Sequence, residues 1–230
     1  MTRIKLCGLC RPRDMEVVNR LQPDYIGFVF ASGSKRYVTP EQARELKRKL
    51  APEICAVGVF VNETPERVAA LLNSGVIDMA QLHGTEDEDY LRQLRRLSHK
   101  PVIQAFRVKT VEDVLKAEQS TADYVLLDSG AGTGTAFDWE LIRGVKRPYF
   151  LAGGLDSGNV ASAVQRLHPF GVDVSSGIET DGAKDKIKMA AFVAAVRKED
   201  QLTKGALRHS RRSVHSRNLD ECGDPVGESV

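Results

Sequence analysis

Short apolar runs alternate with helical patterns along the first 200 residues of the chain. Each run is rich in β-branched or aromatic residues and is followed by a polar loop, and then by apolar residues at helical spacing. The runs predict eight strands, over Ile4–Cys7, Tyr25–Phe30, Cys55–Val61, Met79–Leu82, Val102–Phe106, Tyr124–Leu127, Tyr149–Leu151 and Val172–Val174. Strands that alternate with helices in this way indicate βαβ units and a parallel sheet.

Two of the predicted helices begin with a capping sequence. Thr39–Gln42 and Thr64–Glu66 each place threonine at the N-cap, proline at the first helical position and glutamate in the first turn. The spacing of apolar residues predicts further helices over Glu86–Leu97 and Asp185–Arg197. These helices lie between predicted strands, as the crossover connections of a parallel sheet require.

The number of strand–helix units distinguishes two α/β architectures. A doubly wound open sheet typically has about five or six strands, whereas a TIM barrel, (β/α)₈, has eight. Eight units in 200 residues leave about 25 residues for each unit, near the lower limit for a barrel. We therefore predict a single-domain (β/α)₈ barrel, with its functional residues in the loops that follow the carboxyl ends of the strands.

The composition of the chain changes after residue 200. Residues 201–230 contain no aromatic residue, and five basic residues are followed by four acidic ones. Such a segment buries too little apolar surface to offset the entropy lost on ordering. We predict a folded domain over residues 1–200 and a mostly disordered tail over 201–230. The acidic stretch makes a solvated tail a better explanation of Lys204–Arg217 than a nucleic-acid-binding arm.

Charge and cysteine content limit the function and location of the chain. With 33 Lys and Arg against 31 Asp and Glu, the formal net charge is +2, which argues against a general nucleic-acid binder. The apolar runs are much shorter than the ~18 residues of a transmembrane helix, so no membrane association is predicted. Four cysteines are too few for a disulfide framework, and a cytoplasmic location is therefore expected.

Glycine and serine residues follow the last two predicted strands. Gly153 and Gly154 come after strand seven, and Ser175–Gly177 comes after strand eight. Barrel enzymes often bind phosphate with these two loops, because glycines let backbone N–H groups approach the anion. Either motif alone is also typical of a tight turn. Their occurrence together at these two strands favours a phosphate site.

Cys7 ends the first predicted strand and has two interpretations. It can be a buried structural cysteine, or a thiolate base or nucleophile with a lowered pKa. Cys10 completes a C-x-x-C spacing, but no further ligands follow at zinc-binding spacing. Pro12 follows too closely for a thioredoxin-like motif, so we interpret Cys10 as incidental.

Three more polar residues follow predicted strands, and each allows two roles. Asp128 can cap its loop, or act as a general acid whose pKa is raised by partial burial. His83 can be a hydrogen-bonding loop residue or a catalyst. Arg36 can be solvated, or can bind a substrate carboxylate. The glycines of 130–134 follow strand six and do not fit a dinucleotide- or nucleotide-binding fingerprint.

Taken together, these motifs resemble the phosphoribosylanthranilate isomerases of tryptophan biosynthesis. The resemblance covers most of residues 3–196, and the order and spacing of its short segments make it specific. The matching segments are Lys5–Gly8 with Arg11 and Asp14, Gly27–Phe30, Ser34–Arg36, Val57–Asn62, Gln81–Gly84, Leu127–Asp128, Gly132–Gly134, Phe137–Trp139, Leu151–Leu155, Asn159–Val160 and Gly171–Gly177.

The resemblance implies a (β/α)₈ barrel that catalyses an Amadori rearrangement without metal or coenzyme. N-(5-phosphoribosyl)anthranilate would become 1-(o-carboxyphenylamino)-1-deoxyribulose 5-phosphate. Cys7 matches the general base that removes the C2′ proton, and Asp128 matches the general acid that protonates the ring oxygen. Cys7 is then expected to ionise readily, while Asp128 is expected to hold its proton.

The resemblance also implies how the substrate is bound. Arg36 matches the residue that contacts the anthranilate carboxylate, and Asp173 matches a residue near the ribose hydroxyls. The role of His83, at the rim of the site, is left open. The expected phosphate loops contain Gly153, Gly154, Ser175, Ser176 and Gly177. The chain departs from the family at Cys10, where threonine is frequent, and at Ala131, where a glycine is usual.

Alternative functions lead to different expectations. A pentose-phosphate epimerase would need metal-binding histidines, but His83 is the only histidine at a predicted strand end. A non-catalytic phosphate binder or thiol switch would form a reversible disulfide between Cys7 and Cys10. A related isomerisation in histidine biosynthesis would need a second phosphate site near strands three and four, where no Gly-Gly repeat occurs. We expect a single-substrate isomerase that is a monomer or weak homodimer.

Overall fold

The computed structural model describes residues 1–128 and 139–217, except for the side chains of Lys204 and residues 206–217. The strands are β1 (Arg3–Cys7), β2 (Tyr25–Val29), β3 (Cys55–Phe60), β4 (Met79–Leu82), β5 (Val102–Arg107), β6 (Tyr124–Asp128), β7 (Tyr149–Ala152), β8 (Gly171–Val174), β9 (Glu179–Thr180) and β10 (Ala183–Lys184). The helices are α1 (Pro12–Leu21), α2 (Pro40–Lys47), α3 (Pro65–Asn73), α4 (Glu88–Leu97), α5 (Val111–Gln119), α6 (Val160–Leu167) and α7 (Lys186–Arg217).

Strands β1 to β8 form a closed parallel barrel in sequence order, and β8 pairs with β1. The closing register places Lys5 beside Asp173. This architecture confirms the predicted (β/α)₈ fold. The loops that follow the carboxyl ends of the strands therefore meet at one end of the barrel. The glycine-rich segment 130–134 and Ala131 lie outside the described residues.

Alternation along β1 shows how the barrel positions its polar residues. Ile4 and Leu6 are buried in the apolar layer between strands and helices. Lys5 and Cys7 alternate with them and therefore face the barrel interior. The amino-terminal part of the interior is filled by a second apolar cluster around Phe150, whose ring packs edge-on against Tyr25 at 5.4 Å. The carboxyl-terminal end of the barrel interior is therefore available to polar residues.

Two helical features differ from the sequence-based expectations. A 3₁₀ helix, Trp139–Ile142, is the helical segment described between β6 and β7. Helix α7 continues to Arg217, past the predicted domain boundary at residue 200. The expectation of a disordered tail over 201–230 stays a prediction, and residues 218–230 lie outside the described part. None of the described helices is long and apolar enough to cross a membrane.

Candidate active site

A cavity of about 690 Å³ opens at the carboxyl ends of the strands. Its lining contains eight of the ten predicted site residues: Cys7, His83, Asp128, Gly153, Gly154, Asp173, Ser175 and Ser176. Arg36 and Gly177 are not among the lining residues. The predicted rim residues are thus largely brought together, because the closed barrel places all its strand ends around one opening.

Cys7 lies beside a buried ion pair. The Nζ atom of Lys5, whose side chain is fully buried, donates to Oδ1 of Asp173 at 2.8 Å. Burying a lysine is unfavourable unless a partner neutralises it, and the β1–β8 register supplies that partner. Cys7 itself packs closely on Gly27 of β2, where a Cβ atom would lie 2.6 Å from its sulfur.

The pKa of Cys7 differs from the sequence-based expectation. Burial raises the pKa of the thiol above its usual value, although the charges of Lys5 and Lys184 favour the thiolate. Burial also opposes the charge of Lys5, but Asp173 and Cys7 together outweigh this effect and raise the pKa of the ammonium group. In the substrate-free site, Cys7 is therefore a protonated thiol near neutral pH, next to a fixed cation.

Asp128, at the carboxyl end of β6, lies near His83. Nε2 of His83 is 3.4 Å from Oδ2 of Asp128. Nδ1 of His83 is 2.9 Å from Nε2 of Gln81, a buried residue of β4. With the Gln81 amide donating to Nδ1, the histidine proton is on Nε2 and faces Asp128. Gln81 therefore orients a histidine whose role the sequence left open.

The two expected phosphate loops approach each other closely. Gly153 and Gly154 have φ values of 90° and 63°, a left-handed conformation that favours glycine. A Cβ atom at Gly177 would collide with the carbonyl oxygen of Leu155, in the loop after β7. Gly177 therefore contributes close loop packing rather than cavity lining. The side-chain amide of Asn159 donates a hydrogen bond to the carbonyl oxygen of Gly154 at 2.8 Å, and this bond holds the loop after β7.

Arg36 is held at the edge of the site by a residue that sequence reasoning missed. Its Nε and Nη2 atoms donate to the two carboxylate oxygens of Glu179, each at 2.6 Å. Lys184 also contacts Glu179, at 2.7 Å, and donates to the carbonyl oxygen of Ser175 at 2.8 Å. Both residues follow strand eight closely in the sequence, and this position is the signal that could have identified Glu179 and Lys184 as site residues.

Two further residues that position the site are marked in the sequence by polar side chains within predicted strands. Lys5 is a charged residue within the apolar run Ile4–Cys7, and Gln81 is a polar residue within the run Met79–Leu82. A buried polar side chain in a barrel strand indicates a hydrogen-bond partner nearby. Among the described residues, no group of three or more His, Cys, Asp or Glu is arranged to hold a metal ion.

Comparisons with known sequences identify the family. The family of N-(5′-phosphoribosyl)anthranilate (PRA) isomerase matches residues 4–195. The N-(5′-phosphoribosyl)anthranilate isomerase of Endomicrobium trichonymphae is 43% identical over 202 residues, which cover 86% of this chain and 99% of the relative. The isomerase of Lachnoclostridium phytofermentans is also 43% identical, over 84% of this chain and 96% of the relative.

Solved structures give the same result. The phosphoribosyl anthranilate isomerase of Thermotoga maritima superposes with a TM-score of 0.80 at 36% identity, covering 86% of this chain and all of that chain. A phosphoribosyl anthranilate isomerase in complex with reduced 1-(o-carboxyphenylamino)-1-deoxyribulose 5-phosphate superposes with a TM-score of 0.77, over the same shares of both chains. The chain therefore belongs to the N-(5′-phosphoribosyl)anthranilate isomerase family of tryptophan biosynthesis.

Proposed function

We propose that this chain converts N-(5-phosphoribosyl)anthranilate to 1-(o-carboxyphenylamino)-1-deoxyribulose 5-phosphate, with Cys7 as general base and Asp128 as general acid. The observation that carries this proposal is that both side chains line one cavity, at the ends of strands separated by β7 and β8. An aldose–ketose rearrangement needs an acid and a base on one substrate, and it needs no net oxidation. The cavity offers both groups.

The reaction proceeds through two proton transfers by the enzyme, followed by a tautomerisation. Asp128 gives its proton to the furanose ring oxygen, the bond from that oxygen to C1′ breaks, and a protonated Schiff base forms. Cys7, as the thiolate, then takes the C2′ proton, and the resulting enolamine tautomerises to the ketose. The positive charge of the Schiff base favours the thiolate, as do Lys5 and Lys184. These cations oppose the effect of burial on Cys7.

Anions at the two ends of the substrate orient it in this cavity. The loops of Gly153, Gly154, Ser175 and Ser176 bind the phosphate, and Gly177 allows these loops to pack together. Arg36, beside the cavity, binds the aromatic carboxylate. Asp173 lines the cavity next to Lys5 and accepts hydrogen bonds from ribose hydroxyls. Nε2 of His83 lies 3.4 Å from Oδ2 of Asp128, so that His83 is beside the proposed acid.

A fluorescence assay tests the function directly. Purified protein is expected to consume fluorescent phosphoribosylanthranilate at the same rate with and without EDTA. No consumption would contradict the proposed activity. Inhibition by EDTA would instead support the metal-dependent epimerase type of chemistry. A reversible disulfide of Cys7 and Cys10 in thiol titrations would support the thiol switch.

We also infer a cytoplasmic monomer or weak homodimer that needs no coenzyme and binds neither nucleic acid nor membrane. The formal net charge of +2 and the biosynthetic family support this view. Sedimentation equilibrium over a range of concentrations measures the oligomeric state. A tight tetramer, or recovery of the native protein in a membrane fraction, would contradict the inference.

A further inference from the structure

The side chain of Arg36 has two usable edges, and one of them is occupied. A guanidinium group has five N–H donors, and its Nε/Nη2 edge is bound by both carboxylate oxygens of Glu179. Within the part of the chain that the structure describes, the Nη1/Nη2 edge has no hydrogen-bond partner. This second edge has the same fork geometry and can bind another carboxylate through two parallel hydrogen bonds.

Glu179 has a second cationic partner besides Arg36, on the carboxylate oxygen that also accepts from Nε of Arg36. Its side chain is 8% exposed, and the almost fully buried Nζ atom of Lys184 lies 2.7 Å from Oε1. Burial opposes ionisation of Glu179, but the hydrogen bonds from Arg36 and Lys184 outweigh this effect and lower the pKa of the carboxyl group. Glu179 therefore stays ionised and holds one position between the two cations.

The β9–β10 hairpin brings Glu179 and Lys184 together. Thr180 pairs with Ala183, and Glu179 pairs with Lys184. The turn residues Asp181 and Gly182 both have positive φ, at 52° and 74°, as a type I′ turn requires. The tight turn gives the pair a defined geometry that long, flexible side chains alone would not provide.

The stem of Arg36 is placed next to the reacting end of the cavity. It packs on Gly8, the residue after Cys7, where a Cβ atom would collide with Cδ of Arg36. The same position is 3.2 Å from Oγ of Ser175, which lines the cavity. The stem of Arg36 thus lies at the rim, beside Gly8 and close to Ser175 of the phosphate loop.

We infer that Glu179 is a positioning residue that sets carboxylate specificity: it holds Arg36 so that the free guanidinium edge binds the aromatic carboxylate of the substrate. This inference rests on the proposed function. The opposite role, in which Glu179 competes with the substrate for Arg36, would require displacement of an ionised, buried side chain that also pairs with Lys184. Positioning leaves that pair intact.

The test compares two ligands that differ only in the aromatic carboxyl group. One is reduced 1-(o-carboxyphenylamino)-1-deoxyribulose 5-phosphate, and the other is its counterpart without the carboxyl group. Fluorescence titration gives the ratio of their Kd values for wild type, Glu179→Asp and Glu179→Gln. Aspartate keeps the charge but is too short to reach both cations, whereas glutamine keeps the length and removes the charge. Glu45→Asp, in an exposed pair with Arg48, is the control.

We expect both Glu179 variants to lower the preference for the carboxylated ligand by about ten-fold, the scale of one charge-assisted hydrogen bond. The control is expected to keep the wild-type preference. KM should rise more than kcat falls, because the carboxylate takes no part in the proton transfers. Double variants with Arg36→Met should show no further loss of preference.

Three results would overturn the inference. Tighter binding of the carboxylated ligand by Glu179→Gln would show competition, since removal of a negative charge by itself favours an anion. Equal weakening of both ligands would show a general structural role. A wild-type protein that binds both ligands equally would exclude a carboxylate site at Arg36. Failure of the proposed function is distinct: the wild type would prefer the carboxylated ligand but would not consume phosphoribosylanthranilate.

Discussion

A buried lysine next to a buried thiol determines the electrostatics of this site. Lys5 retains its charge because Asp173 accepts a hydrogen bond from its Nζ atom at 2.8 Å, across the β1–β8 pair. Burial nevertheless raises the pKa of Cys7, and the charge of Asp173 adds to this effect, although Lys5 and Lys184 oppose it. At the scale of single residues, this thiol is therefore protonated near neutral pH.

Removal of either catalytic group should abolish most turnover. We expect Cys7→Ala and Asp128→Asn each to lower kcat by about 10²–10⁴-fold, the usual contribution of general acid–base catalysis. Circular dichroism should show that both variants remain folded. Cys55→Ala, at the amino-terminal end of β3, is the control and should keep wild-type kcat. Near-normal turnover in Cys7→Ala or Asp128→Asn would exclude the role assigned to that residue.

Ionisation of Cys7 should occur above the usual pKa of cysteine. Because burial raises the pKa of this thiol, the ionised fraction increases with pH and is small at neutrality. The difference in ultraviolet thiolate absorbance between wild type and Cys7→Ala measures it. We expect a midpoint above the usual value for cysteine, and a still higher midpoint in Lys5→Met, which removes the favourable charge. kcat/KM should rise with pH through neutrality, and a midpoint below the usual value for cysteine would contradict this account.

At the scale of secondary-structure elements, the loops after β7 and β8 shape the site through their close packing. The loops after β7 and β8 pack so closely that only glycine fits at position 177, against the carbonyl of Leu155. The hairpin β9–β10 follows at once and carries Glu179 and Lys184 back to the rim. One segment after β8 therefore supplies both Ser175 and Ser176 of the proposed phosphate loop and the Glu179 partner of Arg36.

Gly177→Ala should disturb this loop contact. The added Cβ atom would force the Leu155 carbonyl away, and overpacking of this kind typically costs about 1–3 kcal/mol. We expect a lower melting temperature and a higher KM, both measured beside Gly144→Ala. Gly144 is exposed, and a Cβ atom added there would meet no other atom within 4 Å, so that variant should match wild type. Unchanged KM in Gly177→Ala would show that the two loops do not need this contact.

Hydrogen bonds join the two ends of the predicted folded domain. The backbone N–H of Thr2 donates to Oδ1 of Asp200 at 3.0 Å, and its hydroxyl donates to the same oxygen at 2.9 Å. The last buried apolar residue described is Val196, and Leu202 is exposed. At the scale of the whole molecule, we therefore predict that the folding unit includes Asp200 and ends soon after it.

Shortening the chain after Thr203 should preserve stability and activity. We expect kcat/KM to be unchanged and the melting temperature to shift by less than about 4 °C, which corresponds to ~1 kcal/mol for a chain of this size. Asp200→Ala provides the contrast, because it leaves the buried Thr2 groups unpaired and should cost about 1–3 kcal/mol. Loss of cooperative unfolding in the shortened chain would place the later residues within the folding unit.

The order of the strands and most of the polar residues at their carboxyl ends could be predicted, because both depend on the local sequence pattern. Apolar runs identified all eight barrel strands, although β6 includes Asp128, which the apolar pattern excluded. Strand pairing uses backbone groups, so Asp128 joins the ladder opposite Ala152 despite its polar side chain. The end of α7 was not predicted, because helical backbone geometry continues beyond the last residue with an apolar, core-facing pattern.

By itself, the sequence determined the fold class, the family and the strand ends that carry the proposed site residues, because these follow from residue order and spacing. Tertiary structure alone decided the sign of the pKa shift of Cys7 and the partner of Arg36. Both depend on groups far apart in the chain: Asp173 reaches Lys5 only through barrel closure, and Glu179 is 143 residues from Arg36. Electrostatic effects depend on distance and burial, and those are known only when the barrel has closed.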